Sequence, residues 1–447
     1  MRANHRPMAH LVLATHAARA HVNPMVPLVR ELIRRGHEVS WYTGPAYRGT
    51  VEEAGARYLP PRRGTFVDFD RMELDNPQIV AMAPVARRAW FLEHVWADTC
   101  EGQFHDLAAE FQRDPGSILL ADSGMWAANL LHEVHGVVWA TISQSPMSIP
   151  DPELPPFGKG WHPAPPGGTR RRDDVAGRNA FAATFGRVEI QMSRLRSRLG
   201  LPPARGQRVT PYLFLQASVP SFEYPRRRVA PQVHFVGALI PKPTRPHLLP
   251  AWYAELDTDR PVILVTQGTT ARGRGVLMSR AIEAFAETDA LVVVTTGGPG
   301  TEVGSEQLPS NVRVASFVPY HELLPKVDVV VCNGGYGTVQ QALTHALPLV
   351  VSGRLDDKPE VCGRVSWCGA GIDLRTEQPS PVVLLRAVDA ILTEPHFRQA
   401  ALRMANEYAR HDAPREAAAL IGRLAEERAP IVRPVLARGY STAVRPR

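Results

Sequence analysis

The sequence predicts an α/β protein built from two open parallel sheets. Its 447 residues are too many for one ordinary domain and suit two domains of about 200 residues each. Both halves alternate short apolar strands with amphipathic helices, a pattern typical of parallel strands joined by helical crossovers. Between the two halves, residues 221–247 are rich in proline and basic side chains, which indicates a linker.

The N-terminal half begins with a strand, a loop and a helix. The apolar run at residues 9–14 predicts the strand, and residues 15–23 predict the loop. Pro24 and Gly36 suit the start and the end of the helix that follows. Residues at the spacing of one apolar helical face are Met25, Leu28, Val29, Leu32 and Ile33. Because residues 37–42 again predict a strand, this unit is a parallel βαβ crossover.

The rest of the N-terminal half contains two further predicted strands and one unusual segment. Residues 118–121 and 137–142 predict strands on either side of a helix at 127–135. Residues 146–175 contain many prolines, glycines and arginines with little apolar periodicity. They predict a long surface loop, and loops of this length in compact domains often bind ligands or act as lids. A partly disordered insertion is the alternative.

The C-terminal half repeats the alternation of strands and helices. Predicted strands cover residues 262–265, 291–295, 312–316, 327–332 and 349–351. Residues 396–428 predict terminal helices, and residues 430–447 predict a frayed tail. The resulting division is an N-terminal domain at 1–220, a linker at 221–247, a C-terminal domain at 248–428 and a tail at 429–447.

The composition excludes several classes of protein. Hydrophobic residues make up 44% and charged residues 21%, as in globular proteins. No apolar run approaches the roughly 18 residues of a membrane span, and the polar residues 1–10 do not resemble a signal peptide, so we expect a cytoplasmic protein that does not bind membranes. The net charge of +7 comes from scattered arginines, which disfavours nucleic-acid binding. The four cysteines lack metal-site spacing and predict buried thiols.

The stretch from Phe317 to Val365 carries the most informative pattern. The predicted strand at 327–332 ends in the glycine-rich turn 333–337, and a helix is predicted to begin at Thr338. Backbone N–H groups and the helix dipole at such a turn favour a phosphate group. The strand at 349–351 leads to the acidic turn 356–358, which suits recognition of sugar hydroxyls. Together the two turns predict a nucleotide-sugar site.

This ordered pattern resembles the donor-binding signature of the family-1 glycosyltransferases. The resemblance implies an α/β GT-B fold, in which two Rossmann-like domains face a central cleft. It also implies an inverting enzyme that moves a sugar from a UDP- or dTDP-sugar to a hydroxyl of a small lipophilic acceptor. A polyketide or another secondary metabolite is the expected acceptor class. No cofactor or metal is expected beside the nucleotide-sugar co-substrate.

The resemblance identifies two candidate catalytic residues. His21 precedes Pro24 in a His-x-x-Pro segment, where the family carries its catalytic base, although Ala20 replaces the usual glycine. His16 is the alternative base. Asp122 follows a predicted buried strand, where the family aspartate orients the histidine, and a helix N-cap is its alternative role.

The resemblance also identifies the residues expected to bind the donor. Phe317 would stack on the base, and Val318 would contact it through the backbone. Asn333 replaces a frequent histidine at the diphosphate, Gln341 replaces a glutamate at the ribose, and Lys358 replaces an amide at the sugar. The full set is Thr269, Phe317, Val318, Asn333, Gly335, Gly337, Thr338, Gln341, Asp357 and Lys358.

Residues that would bind the acceptor are harder to select. The apolar candidates are Met82, Trp90, Trp126 and Met147, with Phe91 beside them, and each suits a plain core position equally well. A GT-B nucleotide-sugar epimerase and a non-catalytic nucleotide-sugar-binding partner protein are the rival functions. An oxidoreductase is disfavoured because neither half carries a dinucleotide fingerprint; the glycines at 298–304 are interpreted as a loop. The sequence leaves open whether the protein forms a homodimer.

Overall fold

The computed structural model of the protein describes residues 9–69, 71–151, 153–164, 171–203, 209–226, 229–241, 247–268, 276–297 and 308–434. Thr269, the glycines at 298–304 and the predicted tail from residue 435 onward lie outside these ranges.

The N-terminal domain is a parallel sheet flanked by helices. Its described strands are β1 (His10–Ala14), β2 (Glu38–Tyr42), β3 (Arg57–Leu59), β4 (Ile118–Asp122), β5 (Trp139–Ser143), β6 (Leu213–Gln216) and β7 (Val233–Phe235). They lie in the order β3-β2-β1-β4-β5-β6-β7. Its helices are α1 (Arg19–Val22), α2 (Met25–Arg34), α3 (Arg48–Glu53), α4 (Met72–Asp75), α5 (Pro84–Phe91), α6 (Asp98–Arg113), α7 (Ala127–His135) and α8 (Arg171–Arg198).

The C-terminal domain has the same architecture. Its described strands are β8 (Val262–Thr266), β9 (Leu291–Thr295), β10 (Val312–Ala315), β11 (Val329–Cys332), β12 (Leu349–Val351) and β13 (Gly371–Asp373). They lie in the order β10-β9-β8-β11-β12-β13. The helices are α9 (Val276–Phe285), α10 (Tyr320–Leu323), α11 (Tyr336–Thr344), α12 (Lys358–Trp367), α13 (Pro381–Thr393), α14 (Pro395–Tyr408) and α15 (Ala413–Glu427).

The strand order places a ligand crevice in each domain. Strand β1 pairs with both β2 and β4, and strand β8 pairs with both β9 and β11. The chain therefore changes its winding direction between β1 and β4, and again between β8 and β11. At such a switch point the connections diverge and leave a crevice at the carboxyl ends of the strands.

Both faces of the N-terminal sheet are buried, which explains the continuous apolar runs of its strands. Leu11 and Leu13 of β1 point to one face and pack in a cluster with α2. Val12 and Ala14 point to the other face and pack in a cluster with α6 and α7. Strand β1 is thus covered on both sides at the switch point.

The structure differs from the predicted domain division at two points. Strand β7 (Val233–Phe235) lies inside the predicted linker 221–247, yet it pairs in parallel with β6 at the edge of the N-terminal sheet. Helix α15 was expected in the C-terminal domain, but Ile421 and Leu424 pack in one cluster with Leu28 and Leu32 of α2. The last helix therefore returns to the first domain and ties the two domains together.

Several element boundaries also differ from the predictions. The predicted loop 15–23 contains the helical turn α1, and α11 begins at Tyr336, two residues before Thr338. Helix α8 begins at Arg171, so the predicted loop 146–175 extends too far. The first residues of the predicted tail are not frayed, because Ile431 is fully buried and its N–H donates to the Tyr212 carbonyl oxygen.

Candidate functional site

A cavity of about 1400 Å³ lies between the two domains. Its walls include His21 near the first switch point and the glycine turn 333–337 at the second. A cleft for one small ligand usually measures roughly 300–1000 Å³. The cavity is therefore large enough for two substrates that meet between the domains.

His21 and Asp122 form a hydrogen-bonded pair at the N-terminal wall of the cavity. The Nδ1 atom of His21, on the short helix α1, lies 3.1 Å from Oδ2 of Asp122. Asp122 ends strand β4, and its side chain is fully buried. Its carboxylate also accepts the backbone N–H groups of His16 at 2.8 Å and Gly124 at 2.7 Å. These contacts fix the carboxylate and, through it, the His21 ring.

The electrostatics of the pair favour a charged histidine. Burial opposes the charge of His21, but the Asp122 carboxylate and its hydrogen bond outweigh this effect and hold the pKa of His21 above its usual value. The charge of Asp357, from the other domain, contributes in the same direction. Burial also opposes the charge of Asp122, and the His21 ring nevertheless lowers its pKa. The pair can therefore accept a proton at His21 and stabilise the resulting imidazolium.

His16 occupies a different position. Its side chain is buried, and its Nε2 atom lies 2.9 Å from the carbonyl oxygen of Gly124. Burial lowers the pKa of its ring. His21 lines the cavity and His16 does not, so the geometry favours His21 as the residue that can exchange a proton with a ligand.

Gln144 is a third member of this group that the sequence analysis missed. It follows β5 and places its amide nitrogen 3.3 Å from Nδ1 of His21, while its amide oxygen is buried and has no hydrogen-bond partner among the described residues. An Nδ1–H group that donates to Asp122 cannot also accept a hydrogen bond. The reversed amide orientation would let the oxygen of Gln144 accept from His21. The position directly after a strand end was the available signal.

The glycine turn between β11 and α11 forms the C-terminal wall. Gly334 adopts the left-handed φ of 76°, and a Cβ atom there would collide with Sγ of Cys362. Gly335 and Gly337 face open space, apart from the Asn333 side chain beside Gly335. Gly334 is therefore required by the fold, while Gly335 and Gly337 leave room for a ligand to approach the helix N-terminus.

The Asn333 side chain is engaged inside the protein. Its Nδ2 group donates to the carbonyl oxygen of Gln267, and its Oδ1 atom accepts the N–H of Gly335 at 3.2 Å. These bonds join the loop after β8 to the glycine turn after β11. Asn333 thus shapes the turn, and the second hydrogen of its amide group remains to donate to a ligand.

The acidic turn after β12 brings opposite charges together. The Lys358 ammonium lies 3.0 Å from Oδ2 of Asp356, and an N–H of Arg88 donates to the Asp356 carbonyl oxygen. Burial holds the pKa of Asp357 above its usual value. Asp357 and Lys358 both line the cavity, and Arg88, which the sequence analysis missed, reaches this turn from the other domain.

The remaining donor candidates are arranged along the same wall. Phe317 is 53% exposed, and its ring centroid lies 5.1 Å from that of His247. The Val318 side chain is buried in the domain core, which leaves its backbone for a ligand. Gln341 donates from Nε2 to the Gly337 carbonyl oxygen at 3.2 Å. Together with Thr338, these residues line the cavity.

Two of the four acceptor candidates line the cavity, and two do not. Trp126 and Met147 line the cavity, but Met82 and Trp90 lie outside its lining and pack in a small satellite cluster. Apolar side chains at helical spacing cannot be assigned to a core or to a cavity from the sequence alone. Further aromatic lining residues that the sequence analysis did not select include Phe69, Trp96 and Phe185.

The segment that follows β5 crosses from the N-terminal domain to the C-terminal domain. The N–H groups of Gly158 and Gly160 donate to Oε1 of Glu360 on α12, at 2.6 and 2.9 Å. A Cβ atom at Gly160 would collide with the carbonyl oxygen of Pro359. The part of the predicted loop 146–175 around Gly158 and Gly160 is therefore packed against the domain that carries the glycine turn.

A buried ionic network lies beneath this segment. The Arg364 guanidinium donates to Glu223 at 2.7 Å and to Glu360 at 2.9 Å, and it lies over the Tyr224 ring. Burial opposes the charge of Arg364, but the two carboxylates raise its pKa. Since Glu223 precedes β7 and Arg364 lies on α12, the network joins the two domains.

Comparison with known proteins relates the chain to sugar-transferring enzymes. The family model of the erythromycin biosynthesis protein CIII-like C-terminal domain matches residues 279–424. The 4'-demethylrebeccamycin synthase of Lentzea aerocolonigenes is 39% identical over 420 residues, which cover 92% of this chain and 99% of that protein.

Solved structures share the fold. The calicheamicin glycosyltransferase CalG4 aligns with a TM-score of 0.73 at 21% identity, over 95% of this chain and 100% of that chain. The spinosyn rhamnosyltransferase SpnG, complexed with thymidine diphosphate, aligns with a TM-score of 0.63 at 22% identity, over 93% and 100% of the two chains. The chain therefore has the GT-B fold expected from its sequence. In the part of the chain that the structure describes, no helix is both long and apolar enough to cross a lipid bilayer.

Proposed function

The chain belongs to the family-1 glycosyltransferases of the bacterial natural-product type, and we propose that it transfers a sugar, with inversion, from UDP- or dTDP-sugar to a hydroxyl of a small lipophilic acceptor. Membership of the family makes it a glycosyltransferase enzyme, so the epimerase and the non-catalytic binding protein are set aside. The relationship to 4'-demethylrebeccamycin synthase supports a secondary metabolite as the acceptor. Its cytoplasmic location stays a prediction.

One observation carries the proposed mechanism. His21, held by Asp122, lines the same cavity as Asp357 and the glycine turn, and the charge of Asp357 reaches His21 across the cleft. A candidate base from one domain is therefore close to the expected sugar subsite of the other. Direct transfer between two bound substrates requires this proximity.

In the proposed step, His21 acts as general base. Both polar contacts described for its ring involve Nδ1, so Nε2 is the atom that accepts the proton of the acceptor hydroxyl. The hydroxyl oxygen forms a bond to the anomeric carbon as the bond from that carbon to the phosphate oxygen breaks. The nucleotide diphosphate leaves with the electron pair, and Asp122 stabilises the imidazolium.

The donor diphosphate would be held by the N-terminus of α11 without a metal ion. Thr338 lies in the first turn of α11, where backbone N–H groups lack helical partners and the dipole favours an anion. Preorganised N–H groups of this kind stabilise the charge that develops on a leaving group. The open approach over Gly335 and Gly337 suits this contact, and Asn333 shapes the turn below it.

The base and the sugar would lie on either side of the diphosphate. The exposed ring of Phe317 offers a stacking surface for uracil or thymine, with Val318 beside it and Gln341 near the ribose. Asp357 and Lys358 would bind the sugar hydroxyls. The thymidine diphosphate complex of SpnG supports dTDP as one of the two donor bases to test.

Thermal unfolding with UDP, dTDP, GDP and NAD tests the donor site. A ligand that binds only the folded protein stabilises it by about 2.7 kcal/mol at a hundred times its Kd. We expect stabilisation by UDP or dTDP and none by NAD or GDP. Stabilisation by NAD alone, or by none of the four, would contradict the proposed donor site. Product formation with the selected donor is then followed by mass spectrometry.

A further inference from the structure

Two successive arginines on α5 form contacts in different domains. Neighbouring residues of a helix point about 100° apart, so Arg87 and Arg88 have different surroundings. Arg87 donates to Glu73 at 2.8 Å within the N-terminal domain. Arg88 donates instead to the carbonyl oxygen of Asp356, in the acidic turn of the C-terminal domain. Arg88 therefore connects a helix of one domain to the expected sugar subsite of the other.

A second donor of Arg88 holds the segment that follows β5. Its Nη1 atom donates to the carbonyl oxygen of Gly158 at 2.6 Å. Gly158 has a left-handed φ of 101°, and a Cβ atom there would collide with the Arg88 guanidinium. The N–H of Gly158 also donates to Glu360 on α12. The guanidinium of Arg88 thus joins α5, this segment and the acidic turn.

The acidic turn has a backbone conformation that an aspartate seldom adopts. The N–H of Lys358 donates to the carbonyl oxygen of Leu355 at 3.1 Å and closes a tight turn. Asp356 has a φ of 56°, in the left-handed region that favours glycine. Asp357 has a φ of −88° and directly precedes α12. Unfavourable backbone conformations of this kind persist only where the surrounding structure holds them.

Arg88 binds the peptide group that joins Asp356 to Asp357. The carbonyl oxygen of Asp356 belongs to that group, so the guanidinium fixes its orientation. The direction of the Asp357 side chain depends on the same peptide plane, because the plane includes the Cα atom of Asp357. Arg88, Asp357 and Lys358 all line the cavity. The contact therefore sets the direction of a carboxylate at the wall of the cavity.

The charges around the turn favour this contact. Burial opposes the charge of Arg88 and lowers its pKa, and the carboxylates of Asp356, Glu360 and Asp357 act in the opposite direction. An arginine stays protonated even where it is buried. Within the turn, the Lys358 ammonium pairs with Asp356 at 3.0 Å. Acidic side chains of the C-terminal domain are thus balanced from within the turn and from the other domain.

We propose that Arg88 is a positioning residue for the donor sugar. It holds the turn 355–358 in the conformation in which Asp357 and Lys358 meet the sugar hydroxyls. The free nucleotide does not depend on Arg88, because the glycine turn 333–337 belongs to the C-terminal domain. This inference rests on the proposed function, since it assigns a residue of the N-terminal domain to the sugar subsite of the same reaction.

Binding of sugar nucleotides and of free nucleotides tests the assignment. The probes are UDP with UDP-glucose and dTDP with dTDP-glucose, and isothermal titration calorimetry on the full chain gives each Kd. The measured quantity is the Kd of the sugar nucleotide divided by the Kd of its free nucleotide. In Arg88→Met we expect this ratio to rise about fivefold, since a charged hydrogen bond that orders the turn is lost, while the Kd of the free nucleotide stays within about twofold.

Two further variants separate the position of the guanidinium from its charge and from the contact between domains. Arg88→Lys keeps the charge but not the fork that reaches two carbonyl oxygens, so its ratio should lie between those of the unchanged protein and Arg88→Met. Arg354→Met is the matched control. Arg354 also donates across the domains, to the Lys159 carbonyl oxygen at 3.5 Å, but it lies outside the cavity lining. Its replacement should leave the ratio unchanged.

Hydrogen exchange followed by mass spectrometry examines the turn in the absence of any sugar. The N–H of Lys358 is bonded within the turn, and the N–H of Glu360 donates to the Asp357 carbonyl oxygen at 2.9 Å. Because amides exchange when such bonds open, we expect faster exchange in residues 355–361 of Arg88→Met. Exchange in residues 333–341, which contain the glycine turn, should stay unchanged, and Arg354→Met should alter neither segment.

The outcomes separate this inference from the proposed function. If neither UDP nor dTDP binds the unchanged protein, the proposed donor site fails and the inference fails with it. If a nucleotide binds but Arg88→Met alters neither the ratio nor the exchange of the turn, the positioning role is overturned and the proposed function stands.

A third outcome concerns the domains as a whole. If Arg88→Met weakens the free nucleotide as much as the sugar nucleotide, Arg88 supports the whole arrangement of domains and its specific role for the sugar is overturned. Melting curves verify that each variant is folded. Where Arg88→Met does not fold, Arg88→Lys takes its place, with the same expected direction of both effects.

Discussion

Two buried ionic clusters in this molecule use similar side chains for different purposes. His21 pairs with the fully buried Asp122, and 21% of the His21 side chain is exposed at the cavity. Arg364 pairs with Glu223 and Glu360, and all three side chains are at most 5% exposed. One cluster therefore meets ligand space, and the other lies between packed segments of the two domains.

The difference shows what distinguishes a buried charge that serves catalysis from a buried charge that stabilises the fold. An imidazole changes its protonation near neutral pH, and the imidazole of His21 belongs to a residue that lines the cavity. A guanidinium stays protonated, and here its neighbouring carboxylates are also occupied by backbone N–H groups. Disruption of the first cluster should impair catalysis, whereas disruption of the second should impair stability and the contact between domains.

The largest expected effect is on catalysis. His21→Ala removes the proposed base, and we expect kcat to fall by roughly 10²- to 10⁴-fold with little change in melting temperature or donor binding. The control is His94→Ala, because His94 forms an exposed pair with Asp98 at 2.7 Å away from the cavity lining. Steady-state kinetics that leave kcat of His21→Ala unchanged would remove His21 from the mechanism.

The second effect is on stability. Arg364→Met leaves two buried carboxylates without their cation, and breaking a buried pair in this way costs about 3–5 kcal/mol. Arg423→Met breaks the exposed pair with Glu427 and should cost less than about 1 kcal/mol. Chemical denaturation measures both free energies of unfolding. Equal losses for the two variants would show that burial does not distinguish the pairs.

A milder change within the same network should have an intermediate effect. Glu360→Gln keeps an oxygen for the N–H groups of Gly158 and Gly160 but removes the charge opposite Arg364. We expect a loss of about 1–2 kcal/mol, the difference between a charged and a neutral hydrogen bond. Chemical denaturation measures the free energy of unfolding of this variant. A loss as large as that of Arg364→Met would show that the Glu360 carboxylate alone accounts for the stability that the network contributes.

The smallest effect is a shift of the pH profile. A general base must be neutral, so kcat/KM should fall as the pH drops through the pKa of His21. Burial opposes its charge, but Asp122 raises this pKa above the usual value, so Asp122→Asn should move the acidic limb to lower pH. The measurement is kcat/KM of the variant across the pH range, which gives the pH at which activity falls on the acidic side. If that pH is the same in the variant and in the unchanged protein, a group other than His21 titrates there.

The sequence was sufficient for features that depend on neighbouring residues. The strands at 291–295 and 349–351 and the helix at 127–135 were predicted with the bounds that the structure has, because their apolar pattern and flanking glycines act locally. His21, Asp122 and the glycine turn could be selected because each follows a strand end. The carboxyl ends of parallel strands lie at one edge of a sheet, so residues that follow them are brought close together.

Contacts between distant segments could not be predicted in this way. Met82 and Trp90 were selected from apolar character alone, and neither lies in the cavity lining. Phe69 and Trp96, which line the cavity, have no distinguishing sequence pattern, since a core and a cavity wall demand the same apolar side chains. Glu223 and Arg364 are 141 positions apart in the sequence. A pairing over that distance leaves no periodic pattern from which it could be predicted.

The sequence by itself determined the alternation of strands and helices, the glycine turn at 333–337, the acidic turn at 356–358 and the resemblance to sugar transferases. These depend on backbone propensity and short-range spacing. Only the tertiary structure decided that α15 returns to the first domain, that His21 rather than His16 lines the cavity, and that Phe69 and Trp96 line it too. The physical reason is that such contacts arise when distant segments exclude water from a shared space, which depends on the packing of the whole chain.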